Sequence, residues 1–275
     1  MPDPRQTMAR PGDAEVIVIG GGPVGMGLAI DLGQRGISVA VIEPRHAPQP
    51  IPKGQNLTQR TGEHFRHWGV SAQIRAAAPI PHEFGSAGLT AFGSLLGGYT
   101  YDWYRRAEVR PYYFADHERL PQYDTETVLR ARVAQLDCVR VLYGWTAEAV
   151  RDTNGGVTVA ISHPDQADQR RLSGEYGVGC DGSASITRAQ ASIEQDIDPH
   201  DRRMVLLVFK STELHALLAR FGGKSYFNVI NPELHGYWQF LGRVDLDGMW
   251  FFHAPLAGLS SRDSQDFATL LHGVV

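Results

Sequence analysis

Gly20, Gly22 and Gly25 stand in G-x-G-x-x-G spacing, and an acid, Glu43, follows roughly 20 residues after them. Together these residue types suit a dinucleotide. The first glycine permits a tight turn, the second lets a pyrophosphate approach the backbone, and the third lets a helix sit close on a strand. A helix opening at Pro23 would hold a diphosphate through its free N–H groups and partial positive charge. Glu43, at the end of a second strand, would accept hydrogen bonds from the ribose hydroxyls of an adenosine. Three elements must position these residues. Val16 to Ile19 is a β-branched run expected of a strand buried on both faces. Met26, Leu28, Ala29, Ile30 and Leu32 give a helix an apolar face, with Gly33 and Gly36 at its exit, and Ile37 to Ile42 forms the second strand. A glycine triplet alone is a weak signal; strand, triplet, helix, strand and acid in that order are specific.

The 275 residues, 43% of them hydrophobic, can bury a large core in one large or two smaller domains. A net charge of −4, with lysine only at positions 53, 210 and 224 and arginines scattered, gives no basic stripe for nucleic acid. Cys138 and Cys180 stand far apart, which argues against a disulfide framework or zinc site and for a reducing, cytoplasmic setting. His64 and His67 lack carboxylates at metal-ligand spacing, so no metal site is expected. No apolar run approaches the roughly 20 residues that span a bilayer, so no membrane partner is expected. Residues 1–13 are polar and proline-rich and read as a disordered lead-in.

Further along, the prolines between Pro44 and Lys53 favour an extended loop. Gln59 to Trp68 reads as a helix stopped by Gly69. Residues 84–114 are rich in glycine and aromatics, and Tyr99, Tyr101 and Trp103 alternate at period two, which suggests β structure. A helix is expected to open at Thr125. Val139 to Tyr143, Thr146 to Arg151, Gly156 to Ser162 and Arg171 to Val178 read as an antiparallel meander with a turn at Asn154-Gly155. The later pattern is strand (Val205 to Phe209), helix (Thr212 to Ala219), then strands at Tyr226 to Ile230, Gly236 to Leu241 and Met249 to His253, and a helix over Asp263 to His272. The fold class expected is α/β: a Rossmann-type nucleotide-binding domain of residues 14–80 and 115–195, and an antiparallel β-sheet domain of residues 81–114 and 196–275.

Three stretches together resemble the FAD-dependent aromatic hydroxylases, single-component flavoprotein monooxygenases of the para-hydroxybenzoate hydroxylase type. They are the opening fingerprint through Glu43, the segment Lys53 to Glu63 with its Arg60-Thr61-Gly62-Glu63 end, and Gly179 to Arg188, which is similar to the family's G-x-D-G-x-x-S-x-x-R motif. Gln122, in a Pro-Gln-x-x-x-Glu-x-x-Leu context, also matches a family position near the flavin. The resemblance implies FAD as cofactor, with Gly20, Gly22, Pro23, Gly25 and Glu43 holding its ADP half, Asp181 and Gly182 close to its diphosphate, and Lys53 and Gln122 near the flavin. Lys53 stands where the family usually carries Arg, and lysine lacks the planar fork of that side chain. NAD(P)H would reduce the flavin, and a flavin hydroperoxide formed with O2 would hydroxylate a small phenolic or aromatic substrate.

A late Gly-Asp motif of the family has no counterpart after Asp181, so the chain is expected to be the N-terminal portion of a longer monooxygenase, its FAD domain incomplete at the C-terminal end. By itself it would then retain FAD weakly and need a second, completing chain; a homodimer is the other expected association. The alternatives are a truncated or non-catalytic flavoprotein-like fragment and another flavin-superfamily activity, a halogenase or reductase. An NAD-dependent dehydrogenase would show helices alternating with parallel strands after Glu43, where this chain passes into antiparallel sheet. Tyr99, Tyr101, Trp103, Tyr112, Tyr113, Tyr226, Phe227, Tyr237, Trp238 and Phe240 are candidates for a substrate pocket, and His82, His235 and His253 for deprotonating a phenol. The catalytic residues themselves are not identified by the sequence.

Overall fold

The computed structural model describes residues 12–82, 84, 87–103, 108, 110–197, 203–256 and 271–275. The chain opens with β1 (Val16–Ile19), α1 (Pro23–Gly33) and β2 (Val39–Glu43). Pro23 starts α1 without cost, because its missing N–H is one that a helix start leaves unbonded anyway. Gly36, at φ +78°, turns the chain out of the helix in the left-handed region that glycine tolerates. Next come β3 (Asn56–Leu57), α2 (Gln59–His67), α3 (Ser71–Ala77), β4 (Gly88–Phe92), β5 (Thr100–Trp103), β6 (Glu118–Arg119) and α4 (Gln122–Val133). β7 (Val139–Tyr143), β8 (Thr146–Thr153), β9 (Gly156–His163), β10 (Gln166–Gly174), β11 (Tyr176–Gly179) and the short α5 (Ile186–Gln190) follow. The last elements are β12 (Met204–Lys210), α6 (Thr212–Leu217), β13 (Tyr226–Ile230), β14 (Trp238–Arg243) and β15 (Met249–Pro255).

The described residues form two compact units, one running to Gln49 and resuming at Thr125–Asp196, the other holding Pro50–Asp124 and the chain from Ile197. Residues 50–80 and 115–124 thus cluster with the late sheet.

In the first unit, four parallel strands run in the order β11-β1-β2-β7. Alternation along β1 and β2 divides their buried side chains between two faces. Ile17, Ile19, Ala40 and Ile42 pack against Trp145, Val157, Val159, Ile161 and Leu172 of the antiparallel sheet β10-β9-β8. The opposite face is covered by α1, whose Met26, Ala29 and Ile30 are fully buried. Two expectations are corrected here. Val139–Tyr143 is a parallel edge strand and not part of the meander, because it pairs with β2 across a long stretch of chain. The single strand expected at Arg171 to Val178 is two strands: β10 ends at Gly174, and β11 leaves the meander to run parallel beside β1.

In the second unit, six strands run in the order β12-β15-β14-β13-β4-β5, antiparallel except for the parallel pair β13 and β4. Period-two alternation again gives two faces. Phe227, Val229, Leu241, Trp250, Phe252 and Ala254 point into a core closed by Leu214, Leu218 and Val274. Tyr226, Phe240, Phe251 and His253 point the other way. α4 begins at Gln122, three residues before the expected start, because the Lys53 carbonyl takes the Gln122 N–H (3.0 Å). α2 buries Phe65 and lies against α3, while Trp68 stacks on His64. β14 starts at Trp238 rather than Gly236, which sits in a turn at φ +90°. Most of the lead-in and most of the helix expected at Asp263 to His272 lie outside the described residues.

Candidate functional site: a glycine turn and an aromatic cavity

In the first unit, three chain segments meet at the end of β1. The Gly20 N–H bonds the Ile42 carbonyl (2.9 Å) and the Cys180 N–H bonds the Ile19 carbonyl (2.7 Å), so β2 and the residue after β11 flank the turn. Gly20 has φ +102°, and a Cβ there would stand 2.4 Å from the Cys180 carbonyl oxygen. A Cβ on Gly25 would stand 1.8 Å from the Gly20 carbonyl oxygen, so the start of α1 rests directly on the turn. Gly22 differs from both. Its backbone (φ −72°, ψ −173°) is open to any residue, and a Cβ there would meet nothing within 4 Å. Protein packing therefore requires Gly20 and Gly25, whereas Gly22 keeps clear the space before the N-terminus of α1, where the first N–H groups of a helix lack intrahelical partners.

Glu43 is 5% exposed. Its Oε2 accepts from the Gly21 N–H (2.8 Å) and its Oε1 from the Arg45 N–H (2.9 Å), which fixes the carboxylate beside the turn. Each oxygen keeps lone-pair capacity for a further hydroxyl donor. Gly21, which the spacing rule does not demand, is needed too, since a Cβ there would stand 2.8 Å from the Glu43 Cβ.

Asp181 follows Cys180 at the same end of the sheet. Its Oδ1 accepts from Ser185 Oγ (2.6 Å) and its Oδ2 from the Thr187 N–H (3.1 Å) and Thr187 Oγ1 (3.2 Å). Burial alone would raise its carboxyl, but these hydrogen bonds outweigh burial and hold it below the usual carboxylate range. Ser185 caps α5 through the Arg188 N–H (3.0 Å), and the Arg188 guanidinium bonds the Ser183 carbonyl (2.7 Å). The Asp, Ser and Arg of the motif thus build one rigid turn, with Gly182 at φ +83° and open space around it. A fixed turn, an open helix N-terminus and a buried acid at the end of β2 fit the ADP half of a dinucleotide.

The remaining candidates belong to the second unit. Lys53 and Gln122 are joined by the backbone bond that starts α4, and a Cβ on Gly54 would lie 3.3 Å from Gln122 Oε1. Residues Pro52 to Asn56 form a strap, tied down where Gln55 Nε2 donates to the Pro52 carbonyl (3.1 Å) and the Leu120 N–H donates to the Gln55 carbonyl (3.2 Å). Between the strap and the sheet lies a cavity of about 430 Å³, closed by Leu206, Tyr226, Phe240, Phe251 and His253. Cavities of that size hold small organic ligands. Tyr226 stacks on Phe240 (5.4 Å between ring centroids), and the Arg119 guanidinium lies over the Tyr226 ring at 4.3 Å. Gly242 makes room for this cluster: a Cβ there would stand 2.1 Å from the Phe251 ring.

Of the aromatic candidates, Tyr226 and Phe240 line the cavity, and Phe227 points into the opposite core. Tyr99, Tyr101, Tyr112, Tyr113 and Trp238 are exposed. Of the three histidines, His253 lines the cavity. His82 lies within ion-pairing distance of Asp116 and Glu118, and His235 occupies a left-handed turn at φ +48°. Sequence reasoning missed Gln55, Arg119 and Gly242; a glycine within a strand is the one signal that could have found Gly242.

No helix of the described residues is long and apolar enough to cross a membrane. The chain is 28% identical to a 3-(3-hydroxy-phenyl)propionate/3-hydroxycinnamic acid hydroxylase of Mycolicibacterium smegmatis, over 73% of this chain and 34% of that protein. It is 26% identical to a para-nitrophenol 4-monooxygenase of Pseudomonas sp. strain WBC-3, over 86% of this chain and 54% of the relative. It therefore spans between a third and about half of the length of these relatives. Its fold superposes on the flavin-dependent monooxygenase PieE, solved with FAD and substrate, with a TM-score of 0.82 at 22% identity, covering 94% of this chain and 46% of that one. Residues 13–232 match a family model described as FAD binding domain, and the chain belongs to that family.

Proposed function

We propose that this chain supplies the cofactor-holding turn and the ring-binding cavity of a flavin-dependent monooxygenase that uses NAD(P)H and O2 to hydroxylate a small phenolic or aromatic substrate. The observation that carries this reading is the joint presence, in one FAD-binding-family chain, of a glycine turn left open at Gly22 and a cavity walled by Tyr226, Phe240 and Phe251. The hydroxylase and monooxygenase names of the two relatives support the same reaction class.

Each residue has a role within this reading. Backbone N–H groups at Gly22 and the start of α1 receive the cofactor diphosphate, and Gly20 and Gly25 hold that backbone in place. Glu43 accepts from a ribose hydroxyl. Asp181 positions the Gly182 backbone toward the diphosphate through its bonds to Ser185 and Thr187, and the strap carrying Lys53, backed by Gln122, serves the flavin half. Bound FAD would supply the electron transfer from NAD(P)H and the activation of O2; the protein binds and orients the ring and excludes water.

The test is NAD(P)H oxidation by the FAD-loaded protein across a panel of phenols, with 18O2 as oxidant. Substrate-stimulated oxidation with label in a hydroxylated ring is expected. Bound FAD without substrate-dependent oxidation or label would overturn the assignment.

A further inference from the structure

A second cavity lies in the same unit, apart from the ring cavity. It has a volume of about 270 Å³ and shares no lining residue with the other. α2 and α3 supply one side of it, and the segment from Phe114 to Glu118 supplies the other. The two sides stand close because Gly62 has no side chain: a Cβ there would be 3.0 Å from both the Ala115 Cβ and the Asp116 carbonyl oxygen. Phe65 and Ile74, both buried, give the cavity its apolar surface. A space of this size is at the small end of ligand sites and suits one ring with a short substituent.

The charges around this cavity do not balance. Arg75 Nε donates to Glu118 Oε1 (2.8 Å), and Arg110 Nε lies 3.1 Å from Asp116 Oδ1. His82 stands between the same two carboxylates, 3.7 Å from Asp116 Oδ2 and 3.6 Å from Glu118 Oε2. Both carboxylates of the lining are therefore already matched by cations. Arg66 is left over: its guanidinium lies over the Phe114 ring at 3.9 Å, and among the described residues no carboxylate pairs with it. Stacking on that ring orders the guanidinium fork at the cavity, so less freedom is lost when it receives an anion. Phe114 itself is 73% exposed, which leaves aromatic surface beside the cavity open. The guanidinium groups of Arg66, Arg75 and Arg110 outnumber the carboxylates of Asp116 and Glu118 by one, before His82 is counted.

We propose that this cavity is a second binding site, separate from the ring cavity, and that it takes a small aromatic carboxylate. The planar fork of Arg66 receives the carboxylate through paired N–H···O bonds, with the Ser71 hydroxyl and the Nη groups of Arg75 as further donors in the lining. The ring of the ligand lies on Phe65 and Ile74, and its single negative charge matches the one positive charge in excess. An inorganic anion would satisfy the arginines but leave the apolar wall wet. A neutral ring would cover the wall and leave the charge unmatched. The ligand is held without any bond being made or broken.

Titration with 4-fluorobenzoate tests this, its fluorine resonance reporting affinity and the backbone amide shifts of the protein reporting location. Saturable binding is expected, with shifts largest at Gly62, Ser71 and Ala115 and small at Tyr226, Phe240 and Phe251. Arg66 is exposed, so Arg66→Gln should leave the fold intact. It should weaken binding about tenfold or more, the loss that follows removal of a hydrogen bond between charged groups. Inorganic phosphate at equal concentration should not displace the probe. Shifts centred on Phe240 and Phe251, an affinity unchanged in Arg66→Gln, displacement by equal phosphate, or no saturable binding to the folded wild type would each overturn the proposal.

Discussion

Replacing Gly22 by alanine separates the ligand role of the turn from its structural role. The Gly22 backbone lies in the ordinary extended region and a Cβ meets no atom within 4 Å, so the substitution brings neither strain nor a clash. Two small terms oppose each other. Alanine reduces the freedom of the unfolded chain, which stabilises by about 0.4–1 kcal/mol, but it is a poorer helix N-cap than glycine by a similar amount. The net change should stay within about 0.5 kcal/mol. A diphosphate oxygen, however, must come within about 2.9 Å of the N–H groups before α1, and the added methyl stands in that space. Loss of one or more hydrogen bonds to a charged group costs about 1.5–3 kcal/mol, which weakens FAD binding by roughly ten- to more than a hundredfold. Gly25→Ala should behave in the opposite manner, because its Cβ would lie 1.8 Å from the Gly20 carbonyl and the backbone itself must move. Urea unfolding and an FAD fluorescence titration, run on both variants, provide the two readouts. A Gly22→Ala protein with unchanged FAD affinity, or one as destabilised as Gly25→Ala, would refute the reasoning.

Other substitutions probe the rest of the framework. Gly242→Ala places a Cβ 2.1 Å from the Phe251 ring; overpacking of this kind costs about 1–3 kcal/mol in urea unfolding, and the displaced ring should weaken aromatic binding in the cavity. Asp181 has a lowered folded pKa, so its contribution to stability is present above the unfolded value and is lost as pH falls through the folded one. Melting temperature should therefore drop more steeply below about pH 4 in the wild type than in Asp181→Asn, and parallel acid limbs would contradict this. Trp250 is fully buried in the core on the opposite face, and Trp250→Ala should cost about 3–5 kcal/mol by chemical denaturation.

How much of this could be read from the sequence depends on how local each interaction is. The β1-α1-β2 unit, its glycines and Glu43 were legible because strand, turn and helix signals lie within one short stretch. The strands Tyr226 to Ile230 and Met249 to His253 were legible from β-rich runs and the Asp247-Gly248 turn. Pairings across long stretches of chain were not. Nothing local in Val139–Tyr143 shows that it joins β2 in parallel, or in Tyr176–Gly179 that it joins β1. The early start of α4 depends on a carbonyl at Lys53, far away in sequence. In the cavity, the aromatic residues were visible but their side was not, because a change of one residue in register exchanges Tyr226 for Phe227. Arg119 gave no signal, since its environment is built by Gln55, Tyr226 and Arg243.

The central claim is that the turn from Gly20 to Gly25 receives the diphosphate of FAD, and the most direct test is to follow backbone amide resonances during an FAD titration. The account predicts saturable shifts largest at Gly21, Gly22, Val24 and Gly25, with smaller ones at Glu43 and Gly182, and competition by ADP. FAD binding that leaves the amides of this turn unmoved, or that ADP does not displace, would contradict it.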